Sequence, residues 1–275
     1  MRRRPQLLQL TICGCAAVWL LPFLWMVCAS FKAPSEFFSS TFLPWGDLGR
    51  LTLDNYRALL GGFPFLTWLL NSLFLASLQT VIVVLLSSLG GFALATYRFR
   101  GRATVVALML LTLLVPGQVL LPSTYELVNS FGWINSYAAI LVPGAISVFG
   151  ILLFRAAMSA VPVELLHAAR IDGAGELRLW WDIALPSVRP TVGAFTLICF
   201  TGTWNSFLWP QIVLQDESKY HLPIGMTSLV GLPEHDVPYG LLMAGTLLSI
   251  LPVVALFALL HRDFHTGVMT GAVKG

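Results

Sequence analysis

The sequence predicts an all-α integral membrane protein of six transmembrane helices with both termini in the cytoplasm, and three observations carry that expectation. Hydrophobic residues make up 57% of the 275 positions and charged residues only 11%, where a soluble domain carries roughly a quarter. The apolar residues run in blocks of about 20 or more, which is the length a bilayer requires, and the mean hydropathy is +0.80. Arg and Lys gather in alternate connections between those blocks, as they do on the cytoplasmic side of membrane proteins. A net charge of only +3 fits basic loops beside a membrane and argues against a nucleic-acid-binding surface.

Runs of spanning length lie near 9–30, 66–96, 104–126, 135–156, 191–213 and 240–261. Arg2, Arg3 and Arg4 ahead of the first run imitate a secretory signal. The run continues to about Ala29 with no small-residue cleavage site, so it reads as an uncleaved first span. Pro34, Phe37, Phe38, Pro44, Gly46 and Pro64 mark the next connection as an irregular outer loop with short amphipathic turns. In the second span Gly90 and Gly91, with Ser87, Ser88, Ala93 and Ala95, allow another helix to approach closely. Cys13, Cys15, Cys28 and Cys199 all lie in apolar runs without metal or disulfide spacing, and read as small apolar fillers.

The basic residues Arg2, Arg3, Arg4, Arg98, Arg100, Arg102, Arg155, Arg170, Arg178, Arg189, Arg262 and Lys274 fall on one side of this arrangement. Lys32, Arg50, Arg57 and Lys219 fall on the other. The richer side is cytoplasmic, and an even number of spans returns both termini to it. No stretch outside the spans is long enough to bury a core of its own, so residues 1–275 read as one membrane domain. Asn71, Gln79, Gln118, Asn205 and Gln211 lie within or near spans. Lipid offers them no hydrogen bonds, so they either line a pathway or bond between helices.

The connection at 161–190, VPVELLHAARIDGAGELRLWWDIALPSVRP, is patterned rather than loose. Pro162 suits a helix start, where its missing donor is not needed. Leu165, Leu166, Ala168 and Ala169 give an apolar strip, and Asp172-Gly173 a turn and helix stop. A second short helix from about Glu176 to Ala184 carries Leu177, Trp180 and Trp181 and ends before Pro186. A helix-turn-helix of this kind either docks its apolar strip into a partner's groove, passing motion to the attached spans, or rests on lipid headgroups.

The run Ala168-Ala169-Arg170-Ile171-Asp172-Gly173-Ala174, followed by Ile183-Ala184-Leu185-Pro186 and Pro190, resembles the EAA loop of ATP-binding-cassette importer permeases. Trp204-Asn205-Ser206-Phe207-Leu208-Trp209-Pro210 and the tail Gly267 to Gly275 look like the carbohydrate-uptake group, similar to the smaller maltose-type permease. The resemblance covers nearly the whole chain and implies a type I importer transmembrane domain. It further implies a bacterial or archaeal inner membrane, a second permease, a nucleotide-binding ATPase dimer that holds ATP and Mg, an extracytoplasmic binding protein and a saccharide cargo. By the same resemblance the coupling loop holds Glu164, His167, Ala168, Ala169, Asp172, Gly173 and Ala174, and the tail reaches toward the ATPase dimer. His167 stands where the family has glutamate, so the charge of that position is absent or pH-dependent. Glu164, one turn earlier, offers a carboxylate nearby.

Other classes lack their motifs. None of Lys32, Lys219 and Lys274 sits in a phosphate-binding glycine loop, so ATP hydrolysis belongs to a separate chain and this one binds no cofactor of its own. The sequence has no HExxH and no hydrolase-type serine motif; His261 and His265 share a helix face but read as a polar juxtamembrane edge rather than a metal site. No acidic residue lies deep in a span to couple ions, Glu126 sitting at an end. Trp204, Phe207 and Trp209 offer rings to a sugar, and Asn205 and Gln211 offer hydrogen bonds; interfacial anchoring of the tryptophans is the other reading. Within the resembling group a saccharide is the first expectation and glycerol 3-phosphate or a related polyol the second.

Overall fold

The computed structural model describes residues 3–33, 37–38, 51–230 and 239–272, with backbone only for 3–8, 10 and 261–272. Pro34, Pro44 and Gly46, the side chains of His261 and His265, and the last residues of the tail lie outside what is described. In chain order the helices are α1 Arg3–Ser30, α2 Asp54–Gly62, α3 Phe65–Thr96, α4 Arg102–Thr112, α5 Leu121–Ser130, α6 Ala138–Leu141, α7 Val148–Met158 and α8 Val163–Ile171. Then come α9 Glu176–Arg178, a π-helical turn Leu179–Ala184, α10 Leu185–Ser187, α11 Arg189–Trp204, α12 Leu208–Val213, α13 Leu222–Ser228 and α14 Tyr239–Ala272. Among the described residues there is no strand, only one isolated bridge between Lys32 and Leu51.

Three of the six expected spans are unbroken helices long and apolar enough to cross a bilayer: Thr11–Ser30, Phe65–Thr96 and Tyr239–Leu260. The other three are built from short helices. Arg102–Thr112 meets Gly117–Ser130 at 92°, where Pro116 has no donor to continue the helix and forces the residue before it out of the α region. At about 1.5 Å per residue, the 11 residues of α4 fall well short of the roughly 30 Å hydrocarbon layer. The expected fourth span is interrupted by Pro143-Gly144 between α6 and α7, and the fifth between Trp204 and Leu208. There Asn205 donates from Nδ2 to Thr201 O at 2.8 Å and terminates α11. Periodicity alone reads each of these as one run because the residues on both sides of each break are apolar.

The chain divides into two compact units. One comprises Met1–Leu69 with Ile224–Leu251. In it α1 ends on a polar clasp: Asn55, buried at the start of α2, donates to the Ser30 and Lys32 carbonyls at 2.9 and 2.8 Å, and Ser30 Oγ meets Tyr56 Oη at 2.7 Å. Thr52 Oγ1 accepts from Asp54 N at 3.0 Å, which satisfies one of the free donors at the N-terminus of α2. Phe37 stacks on Tyr239 with centroids 5.3 Å apart. The expected loop of short amphipathic turns thus contains a true helix with ordered ends.

The second unit comprises Leu70–Pro223 with Pro252–Gly275. Its centre is the small and polar face of α3: Ser72, Ala76, Gln79, Thr80, Val83, Val84, Ser87 and Ser88 are all buried, at the three- and four-residue spacing of one helix side. The opposite face, Leu70, Leu73, Phe74 and Val81, is exposed. Apolar outside and polar inside reverses the soluble pattern and is what a lipid solvent selects. Glycines set the approach of neighbours. A Cβ at Gly91 would lie 2.5 Å from Phe154 Cβ, and one at Gly150 would lie 2.2 Å from Phe195 Cζ. The apolar core joins Val83, Val84 and Phe92 of α3, Phe154 and Met158 of α7, Val188, Phe195 of α11, and Leu166, Leu179 and Ala184 of the 161–190 connection.

Candidate functional site

α8 starts directly after Pro162, which occupies its N-cap position with extended backbone. It ends on a glycine lock. Gly173 has φ +82, its N–H donates to Arg170 O at 3.0 Å, and Ala174 N donates to Ala169 O at 2.9 Å. That pair of bonds is the Schellman pattern, and its left-handed residue favours glycine. The axis of Val163–Ile171 turns 84° from Val148–Met158, and Glu176–Ser187 turns 88° from Arg189–Trp204. The connection therefore leaves one span and joins the next through two near-right-angle corners.

The expected apolar strip of α8 is divided between two roles. Leu166 is 6% exposed, packed into the unit's own core with Ala169 partly buried beside it. Sequence spacing marked Leu165, Leu166, Ala168 and Ala169 as one strip, but Leu166 turns inward, into the core that also holds Leu179, Met158 and Phe154. The outward side consists of Glu164, Leu165, His167, Ala168, Ile171 and Asp172. Ile171 stands 87% exposed.

A polar brace holds the corner. Arg170 donates from Nε to Glu176 Oε1 at 3.0 Å and from Nη2 to Oε2 at 3.1 Å, a two-point grip that fixes orientation as well as distance. Tyr97 Oη, just past α3, donates to the same carboxylate. The Arg170 and Tyr97 hydrogen bonds hold the Glu176 carboxyl below its ordinary value, and burial with the Glu176 contact pushes the Tyr97 phenol up. Tyr97, Arg98, Arg102, His167, Arg170 and Glu176 line an open cleft of about 790 Å³ beside α8. Sequence reading missed this brace, since nothing in local spacing joins Tyr97 to Glu176. The sequence holds only a weak hint, an acidic residue at the start of a short helix close after a basic one.

The polar residues expected in or near spans fare differently from one another. Asn71 donates to Ser218 O and Tyr220 O, both at 2.9 Å, and so holds a loop. Trp204 is buried and stacks on Phe200 at 5.6 Å; Asn205 caps α11; Gln118 and Gln211 are exposed. Gln79 lines a cavity of about 390 Å³, whose other polar walls are Thr124, Thr203 and Ser206 with Trp209 beside them. At the far end of α11 and α12, buried His221 contacts Ser206 O through Nε2, and burial holds its imidazole below the ordinary value. Among the described residues no cluster of His, Cys, Asp or Glu is arranged to hold a metal ion.

Residues 87–268 match the family of binding-protein-dependent transport system inner membrane components. The chain belongs to that family. Among relatives of this inner membrane component, the arabinooligosaccharides transport system permease protein AraQ of Halalkalibacterium halodurans is 33% identical over 262 residues, covering 94% of this chain and 93% of AraQ. The lactose transport system permease protein LacG of Rhizobium radiobacter is 33% identical over 276 residues, covering 99% and 98%. A bacterial ABC transporter involved in import of the acidic polysaccharide alginate has a chain of the same fold, with a TM-score of 0.83 at 21% identity over 95% of this chain and 97% of that one. This inner membrane component is therefore a multi-pass permease subunit of an ATP-binding-cassette importer, in a family whose members are generally non-catalytic.

Proposed function

We propose that this chain forms half of the membrane pathway of a saccharide importer, paired with a second permease and driven by a separate ATPase dimer that holds the ATP and Mg. The whole of 1–275 acts as one transmembrane domain with both termini cytoplasmic, and 161–190 is its coupling loop. The division of α8 into a buried and an outward side is the observation that carries this reading. Leu166 ties the helix to the core shared by α3, α7 and α11, with Ala174 packed against the same core, while Glu164, His167, Ala168, Asp172 and Gly173 are exposed and available to a partner. A push on the outward side therefore reaches the spans as a rigid movement. A binding protein delivers the cargo on the opposite side of the membrane, and nucleotide state and cargo access bias each other reciprocally.

The saccharide class rests on the likeness to AraQ and LacG, whose names state oligosaccharide and lactose transport. Within the pathway Gln79 is the strongest candidate for a polar contact. Asn71, Gln118, Trp204, Asn205 and Gln211 are retained as residues of the wall, some of them serving to position others. The test is purification of the chain with its partners and measurement of ATP hydrolysis with binding protein loaded from a panel of neutral oligosaccharides and glycerol 3-phosphate. Stimulation by a neutral saccharide supports the reading; stimulation by glycerol 3-phosphate alone replaces the cargo class, and recovery of the chain without any ATPase sinks the importer.

A further inference from the structure

Gln79 is 5% exposed, and neither its Nε2 nor its Oε1 has a hydrogen-bond partner among the described residues. The other polar groups on this face of α3 are committed: Thr80 Oγ1 donates to Ala76 O at 2.6 Å, Ser88 Oγ to Leu85 O at 3.0 Å, and Ser72 Oγ accepts from Leu222 N at 2.6 Å. An unpaired carboxamide away from water is costly. Gln79 nevertheless sits on the 390 Å³ cavity, a size in the usual range for small-ligand sites.

The neighbourhood is built around that carboxamide. Gly144 leaves room for it, since a Cβ there would lie 2.8 Å from Gln79 Nε2. Thr203 and Ser206 also line the cavity, and Trp209 is fixed by its Nε1 bond to Ala139 O at 2.9 Å. Every group lining the cavity is uncharged, so an anionic cargo finds no counter-ion. A carboxamide presents a donor and an acceptor side by side, matching neighbouring hydroxyls that each donate and accept, and an indole offers an apolar face to the C–H side of a sugar ring. We propose that this cavity is a subsite for one residue of a neutral saccharide, so that the chain itself contacts its cargo, with Gln79 as the polar anchor. The proposal rests on the importer reading and narrows it.

The assembly with its ATPase, in nanodiscs and without binding protein, is titrated with radiolabelled lactose, maltose and arabinobiose, and with glycerol 3-phosphate as the charged comparison. ATP-driven uptake by the same assembly with binding protein is measured in proteoliposomes in parallel. A neutral saccharide binds the wild type, and Gln79→Leu weakens it on the order of tenfold, the loss expected for hydrogen bonds to a buried polar group. Thr203→Val and Ser206→Ala weaken it less, and they test the same cavity should Gln79→Leu fail to assemble. Unchanged affinity in all three variants overturns the subsite, as does tighter binding of glycerol 3-phosphate than of any sugar. Uptake with no detectable binding overturns it too, leaving water as the partner of Gln79 and the importer intact. Failure of ATP to drive uptake of any compound removes the reading on which the subsite rests.

Discussion

Gly173 and Gly150 show two ways in which a single residue holds this structure. At Gly173 the constraint is the backbone: φ is +82, and a Cβ there would meet nothing within 4 Å. Gly173→Ala therefore loses only conformational ease, about 1 kcal/mol, and is expected to lower the thermal midpoint of the purified assembly slightly while sharply raising amide exchange at Ala174. At Gly150 the constraint is space, because Phe195 Cζ would lie 2.2 Å from an added Cβ and a buried ring cannot swing aside. Gly150→Ala is expected to destabilise the permease by about 1–3 kcal/mol through overpacking, read as a fall in the detergent-solubilised midpoint larger than that of Gly173→Ala. The first glycine is legible in the sequence, since Asp-Gly after an amphipathic run is a local stop signal. The second is not: its need arises from a ring on another helix. Gln79 was legible only as a polar residue in a span, one of five, and what separates it from Asn71 is a loop carbonyl that no spacing rule foretells.

Among the elements, the 161–190 connection was the most readable, because caps, turn and prolines act over a few residues. Its roll was not, since that depends on which side meets the core that holds Phe154 and Leu179. The brace of Arg170, Glu176 and Tyr97 gives this element an acid sensitivity with a definite sign. The Glu176 carboxyl is held below its ordinary value of 4.5, so its contribution is complete above that value and is lost as pH falls through the lower, folded one. The groups are largely solvent-exposed, and the effect on global stability is correspondingly small. Protection of the amides between 170 and 178, taken relative to the intrinsic exchange rate at each pH, is therefore the sensitive reading: it should fall in wild type as pH drops below 4.5 and be low and without that pH step in Glu176→Gln. His221 has the same sign at higher pH. Burial depresses its pKa from 6.5, so its contribution holds above that value and is lost as pH falls through the folded value. His221→Gln is expected to remove an acid-induced loosening at Leu222 that wild type shows between about pH 6.5 and the folded pKa. The third, fourth and fifth spans were legible in place but not in form, because Pro116, Pro143 and Asn205 break helices inside runs whose composition stays apolar.

For the whole molecule, composition and charge asymmetry announce a multi-pass membrane protein before any contact is known, and the buried polar face of α3 against exposed leucines gives the same reading from packing. Orientation follows the arginines: single cysteines placed at Arg100 and Arg178 should be reached by impermeant reagents only from the cytoplasmic side, and one at Arg57 only from outside. Labelling in that pattern would put the 161–190 loop on the side from which an ATPase can reach it. The account's central claim is that force passes to the spans through the outward side of α8. The most direct test is ATP-dependent saccharide uptake by the complete assembly in proteoliposomes, wild type against Ala168→Trp, where Ala168 is exposed and serves no packing role in its own chain. The permease pair should form normally in both; uptake should require the ATPase and binding protein in wild type and fall about tenfold or more with the bulky ring, as when a central docking contact is blocked. Undiminished uptake with Ala168→Trp, or uptake by the membrane subunits without an ATPase, would contradict the account.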